Sequence, residues 1–297
     1  MSTPRLDYAV VTPARDEAEN LPRLAACLIA QTLRPATWVV IDNGSGDETG
    51  SVAAGLAERH RWVTAGSVRG EAEPIRGGPI VRAFTFGLES LPRRVDVVVK
   101  LDADISFEPD YFERLLEAFE ADSSLGIASG SAYELRNGAW TQTFMTRSSV
   151  WGAARAYRWE CLHDVLPLET GMGWDSIDEF KANIRGWKTR TLLSLAFRHH
   201  RPEADRDRSR WAAWTTQGSL AHYVGYRLWY LLLRTGFRAL RDPSALGLVY
   251  GYGRSAVSLQ PRYADDEARS YLREQQALKN LPQRIREALG RNPRAPV

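Results

Sequence analysis

The first half of the chain alternates between two hydrophobic periods, and that alternation restricts the fold more than any other feature. YAVVTPA (8–14), TWVVIDNGSGD (37–47) and VDVVVKLDAD (95–104) open as short runs of β-branched and apolar residues with no polar residue between them. Such runs read as strands buried on both faces. Between them, ENLPRLAACLIAQ (19–31), residues 49–58 and GPIVRAFTFGLESL (78–91) repeat apolar residues at helical spacing, WVTAGS adds a short strand, and PDYFERLLEAFEA (109–121) follows as another helix. The order βαβαβαβ predicts a parallel, twisted sheet with helices on both faces.

Sheets of this kind bind ligands beyond the carboxyl ends of their strands. Thr12 to Asp16, Asp42 to Asp47 and Asp102 to Asp104 are all predicted at those ends. Alternation places Asp102 and Asp104 on one side of an extended segment, about 6–7 Å apart along the backbone. Two such carboxylates repel unless a cation lies between them. A turn in which an aspartate caps the next helix is the competing reading. Three polar clusters arriving at one edge favour a binding site.

With these residues in view, the chain resembles the family 2 glycosyltransferases of GT-A fold. The resemblance rests on TPARDEAENLPRLAACL, VVIDNGSGDETG, VVVKLDADISFEPDYFERLL and GMGWDSIDEFKANIRGWKTRTL followed by FRHHRP, and it covers about residues 7 to 202. Asp42, Asn43, Gly44, Ser45, Asp47 and Thr49 match the family's DNGS-x-D-x-T signature. It implies an inverting enzyme that takes a sugar from a nucleotide diphosphate and passes it to an acceptor hydroxyl. Pro13, Ala14, Arg15 and Asp42 would then hold the nucleoside, and Asp102 the ribose or the water shell of a metal. Asp104 would bind Mn2+ or Mg2+ between the phosphates. Both ions favour hard oxygen ligands.

The same resemblance assigns the catalytic base to the GMGWDSIDEF segment. Asp175 lies eleven residues before Gly186, as the family pattern asks, but Trp174 stands where the family usually has Glu. Asp178 with Glu179 fits the chemistry if the helix is one turn shorter. Acids at a helix start also complement its dipole, which is the structural alternative for both. His199 and His200, in FRHHRP at a strand end, are expected to complete the metal shell, with Arg198 and Arg201 assisting the phosphates. Arg147 and Trp151 lie in an aromatic and Arg-rich stretch and are acceptor-side candidates.

Charge divides the chain unevenly. From Arg198 onward there are 18 Lys/Arg against 9 Asp/Glu, a net of +9, while the preceding residues carry 21 against 27, a net of −6. The basic part includes GSLAHYVGYRLWYLLLRTGFRAL, which is apolar around much of its circumference and studded with arginines, as an amphipathic helix pair on a membrane surface would be. Packing on protein, including a homodimer, is the alternative. The division expected is 1–205 as catalytic domain and 206–297 as a helical appendage. Cys27 and Cys161 have no disulfide or zinc spacing. The first residues lack a signal peptide's basic start and apolar core, and no charge-free stretch of about 20 residues occurs. The expected location is cytoplasmic, peripheral to the inner face of the membrane, with a glycan or lipid-linked acceptor and no nucleic-acid partner. A nucleotidyltransferase and a non-catalytic nucleotide-sugar-binding scaffold are the competing functions.

Overall fold

The apolar run Val97–Leu101 forms β4, fully buried, at the middle of a nine-stranded sheet. The computed structural model describes residues 6–69, 77–136, 138–143, 149–171, 173–201 and 209–288. The chain separates into two compact units, Met1–Arg201 and Pro202–Val297.

In the first unit β1 (Tyr8–Ala14), β2 (Thr37–Asp42), β3 (Val63–Ser67) and β4 run parallel in the order β3-β2-β1-β4. Alternate residues of these strands feed different cores. Val10, Val40, Val97 and Val99 pack with Leu21, Leu24, Phe112 and Leu115, from α1 (Leu21–Ile29) and α4 (Tyr111–Ala121). Val11, Val39, Ile41 and Val98 face the other way, towards Val81 and Phe84 of α3 (Gly78–Glu89) and Leu162 of α5 (Trp159–Val165). In β1, β2 and β4 both faces are therefore covered, which is why apolar residues follow one another without alternation and Thr12 and Lys100 are buried among them. Each fully buried Val or Leu contributes about 1.5–3 kcal/mol. A Cβ at Gly87 would stand 2.4 Å from Val11 Cγ1, so α3 lies on the sheet only because that residue is glycine.

Beyond β4 the sheet is mixed rather than a continuation of the parallel order. β8 (Ala154–Arg158) pairs antiparallel with β4 and with β6 (Leu125–Arg136). β6 then runs parallel to β9 (Lys188–His199), whose far end pairs antiparallel with the short β5 (Ile105–Phe107). β7 (Ala139–Gln142) hangs from β6 as a hairpin. Only three residues, Asp102 to Asp104, separate β4 from β5, too few for the helical crossover that parallel pairing needs. The β5–β9 pairing brings the 199–201 stretch to the turn at Asp102–Asp104. α2 (Thr49–Arg59) follows β2, and α6 (Trp174–Ile184) precedes β9.

The second unit is helical: α7 (Arg210–Tyr223), α8 (Leu228–Ala239), α9 (Gly247–Val257), α10 (Asp266–Gln275) and α11 (Leu281–Ala288). Ser209 and Asp265 cap α7 and α10 by accepting backbone N–H bonds of 2.9–3.1 Å. Gly225, at φ 83°, follows the end of α7 and separates it from α8 within the stretch read as an amphipathic helix pair. Among the described residues no helix is long and apolar enough to cross a membrane.

Candidate active site

Two loops are knitted together at the carboxyl edge of β1 and β2. Ala14 and Asp42 are register partners, and the Asn43 N–H donates to the Ala14 carbonyl at 2.8 Å. Glu17 N–H donates to Thr49 Oγ1 (2.7 Å), Asp16 N–H to Ser45 Oγ (3.0 Å) and Gly46 N–H to Asp16 Oδ1 (2.7 Å). Asp42 Oδ1 accepts from the Ser45 N–H (3.0 Å) and hydroxyl (2.6 Å), which leaves its other oxygen beside Gly50 at the start of α2. Pro13 and Ala14 close β1 at this edge, and Arg15 is exposed beyond them.

The aspartates of the DAD turn stand in different surroundings. Asp102 is paired with the Lys100 ammonium and remains partly exposed. Asp104 is only 1% exposed. Its Oδ2 accepts from Arg201 Nε at 3.1 Å, and its Oδ1 lies 3.5 Å from His199 Nε2. His199 Nδ1 is 3.6 Å from Glu134 Oε1, and the ring meets Trp151 edge-on at 5.6 Å. Arg201 also pairs with Glu17, whose carboxyl burial raises above its ordinary range. The histidines diverge, as neighbours in an extended segment do. His200 turns its Nε2 to Ser106 Oγ (2.8 Å) and its ring to Trp140, and only its backbone N–H reaches Asp104, at the carbonyl (2.8 Å). Arg198 leaves with it, pairing with Glu108 at 3.2 Å. Of the predicted metal residues, then, the fold brings together Asp104 and His199 but not His200. Among the described residues no three His, Cys, Asp or Glu side chains form an assembled metal cluster.

At the start of α6, Asp175 and Asp178 are equally distinct. Asp178, 1% exposed, takes Arg155 Nη2 on Oδ1 (2.5 Å) and Arg155 Nε (3.1 Å) and the Tyr157 hydroxyl on Oδ2. Arg155 is wholly buried and also donates to the Asp175 carbonyl (2.7 Å) and the Val150 carbonyl. Glu179 accepts from the Val150 N–H at 2.7 Å and from Arg155 at 3.3 Å. Asp175 itself is half-buried, its Oδ2 within 3.6 Å of where a Cβ on Gly152 would lie. Gly152 in turn accepts from Lys100 at 2.9 Å, so the Asp175 carboxylate and the DAD turn share one loop. Trp151 packs against His199 and Phe197 on that loop. Arg147 lies outside the described residues.

Burial and the shared guanidinium govern the charge of this cluster. Burial pushes Asp178 up to about 6 and Glu179 up to about 8, against Arg155, which opposes both shifts and is itself held charged. A carboxyl with a raised folded pKa keeps a proton that the unfolded chain has released, so its contribution falls as pH rises between the two values. Stability of Glu179→Gln relative to wild type should therefore increase from pH 5 to pH 8 in urea unfolding. A wild-type minus variant difference that is flat across this range would show that Glu179 stays ionised.

Lys100, Glu17, Glu134 and Arg155 were not singled out by sequence reasoning. Lys100 carried a signal, because a lysine inside an otherwise apolar strand two residues before an aspartate needs a buried partner. Glu17, Glu134 and Arg155 carried none, since their partners are distant in sequence.

A sheet whose first half is parallel, with acids gathered on its carboxyl edge, and whose mixed second half returns a histidine to the DAD turn, is the GT-A fold. The fold is shared with a mannosyltransferase from Pyrobaculum calidifontis, solved with GDP-Man and Mn2+, at a TM-score of 0.56 and 18% identity over 98% of this chain and 80% of that one. The chain belongs to glycosyl transferase family 2, whose family model matches residues 9–167. It is 30% identical over 152 residues to a polyprenol monophosphomannose synthase of Mycolicibacterium smegmatis, covering 47% of this chain and 52% of that protein. It is 32% identical over 117 residues to an undecaprenyl-phosphate mannosyltransferase of Micrococcus luteus, covering 39% and 46%. The chain thus spans about half the length of the curated relatives it matches.

Proposed function

We propose that the protein is an inverting, metal-dependent glycosyltransferase that moves a sugar from a nucleotide diphosphate to a hydroxyl of a lipid-linked or glycan acceptor. The observation that carries this reading is the meeting of Asp42, Asp102, the Asp104–His199 pair and, through Gly152, Asp175 at one sheet edge. Asp42, with Pro13, Ala14 and Arg15, receives the nucleoside, and the free side of Asp102 receives ribose. A buried carboxylate beside an imidazole is a donor set that would fit Mn2+ or Mg2+. When bound, the ion offsets the negative charge that grows on the leaving diphosphate. Asp175 takes the proton of the acceptor hydroxyl as it attacks the sugar from the opposite face. Asp178 is committed to Arg155 and Tyr157 and holds the helix rather than the proton.

Nucleotide-sugar hydrolysis and transfer, assayed with a panel of GDP-, UDP-, ADP- and dTDP-sugars plus Mn2+, tests the reading. Release of nucleoside diphosphate supports it. Pyrophosphate release would indicate a nucleotidyltransferase, and binding without turnover a scaffold.

The acceptor reading brings the protein to the cytoplasmic face of a membrane. One curated relative is named for making polyprenol monophosphomannose and the other for mannosyl transfer involving undecaprenyl phosphate. In the second unit Leu228, Leu232 and Leu233 of α8 are exposed at 54%, 49% and 46%; Arg234 and Arg238 lie on the same helix, and Arg241 follows just past its end. Burial, then the proximity of Arg234 and Arg241, lowers the Arg238 pKa, so three cations are concentrated there. Each arginine near anionic headgroups contributes about 1 kcal/mol, weakened by salt. The full chain is expected to sediment with phosphatidylglycerol vesicles, less with phosphatidylcholine, and to lose most binding when Leu228, Leu232 and Leu233 are all changed to Ser. Equal sedimentation of that variant would remove α8 as the membrane contact.

A further inference from the structure

Lys100 is 2% exposed on β4, the central strand, where its neighbours in the run are valines and a leucine. Burying an ammonium costs several kcal/mol unless it is fully paired, and an apolar residue would serve the sheet better. The fold alone gives no reason for it. Its partners belong to three segments, each of which carries a group of the site. The ammonium binds Asp102 in the DAD turn and donates to the Gly152 carbonyl at 2.9 Å. It also lies 5.7 Å from the face of Trp174, the residue before Asp175, which Arg155 approaches at 5.8 Å.

We propose that Lys100 is a positioning residue that sets Asp102 for the donor and ties the donor-binding turn to the start of the helix bearing Asp175. The inference rests on the donor-site reading above. With Asp102 Oδ1 held by the ammonium, its other oxygen is the one left for donor hydroxyls. The ion pair also cancels the Asp102 charge, so the donor's diphosphate meets one uncompensated carboxylate fewer. Through Gly152 and Trp174 the same ammonium braces the loop and helix start on which Asp175 stands. Removing it frees Asp102 to rotate and leaves its charge facing the diphosphate.

A double-mutant cycle on the full chain tests this. Lys100→Met, Asp102→Asn and the double variant are compared with wild type by calorimetric titration with Mn2+ and the tightest-binding of GDP, UDP, ADP and dTDP. Lys100→Met should weaken nucleotide binding about tenfold or more, the scale of one lost charge-assisted hydrogen bond. In the Asp102→Asn background the same change should cost under about threefold, because the charge that Lys100 holds is gone. A lysine needed only for folding would lower the unfolding midpoint but leave the affinity of the folded protein unchanged. Affinity within twofold of wild type for Lys100→Met, or an equal penalty in both backgrounds, would overturn the proposal. If Lys100→Met does not fold, the double variant decides: folded with the affinity of Asp102→Asn it supports the proposal, and unfolded or tenfold weaker it overturns it. Wild type that binds none of the four nucleotides overturns the donor-site reading itself.

Discussion

Asp104→Ala is expected to lose Mn2+-dependent affinity for the nucleoside diphosphate by at least about 100-fold, the upper end of what losing a mere outer-shell partner of a metal costs. Asp104 is the deepest acid of the DAD turn and the one that fold and register bring to His199, across a β5–β9 pairing far apart in sequence. Alanine removes the hard oxygen donor, and Arg201 then faces Glu17 without its second acceptor. Because that also disturbs a partly buried ion pair, Asp104→Asn is the companion variant. It keeps shape and one oxygen but not the charge, and should show the same direction of loss with a smaller change in unfolding midpoint. Calorimetric titration with and without Mn2+ reads both. Unchanged Mn2+-dependent affinity in Asp104→Ala would remove this residue from the metal's ligands.

Asp175→Asn should keep donor affinity and lose transfer to a hydroxyl acceptor by about 100-fold or more, the usual scale for a missing general base. The structure gives Asp175 and Asp178 opposite expected phenotypes. Asp178→Asn leaves the wholly buried Arg155 short of its strongest counter-charge, and breaking a buried pair in this way costs about 3–5 kcal/mol. Its defect should therefore appear first as a lower unfolding midpoint. Near-normal transfer by Asp175→Asn with folded but inactive Asp178→Asn would exchange the two roles. A polyprenyl phosphate presents an oxygen that is already ionised, and Asp175 would then have no proton to take. Asp175→Asn active on such a phosphate, but not on hydroxyls, would identify the acceptor class in one comparison.

The sheet was legible because both of its faces are covered. Uninterrupted valines in the strands and helical spacing between them are local signals, and they sufficed for β1 to β4 and for the edge where Asp42, Asp102 and Asp104 arrive. The mixed half was not legible in the same way. Pairing of β5 with β9 and of β6 with β8 depends on contacts between segments tens of residues apart, and no local period encodes which neighbour a strand selects.

The paired histidines show the difference within two residues. Their position at a strand end is a matter of sequence, and so is the presence of acids at the start of α6. Which histidine reaches Asp104 follows from the direction each side chain takes from the returning β9. Which acid remains available follows from Arg155, which β8 carries under the start of α6. The sequence by itself determined the residue types, the order of the motifs and the strand ends on which they lie, because these rest on local propensity and burial pattern. Only the tertiary structure decided that Asp104 pairs with His199, that Lys100 holds Asp102 and that Asp178 is consumed by Arg155, because charges buried in a low-dielectric interior must find partners wherever the folded chain brings them.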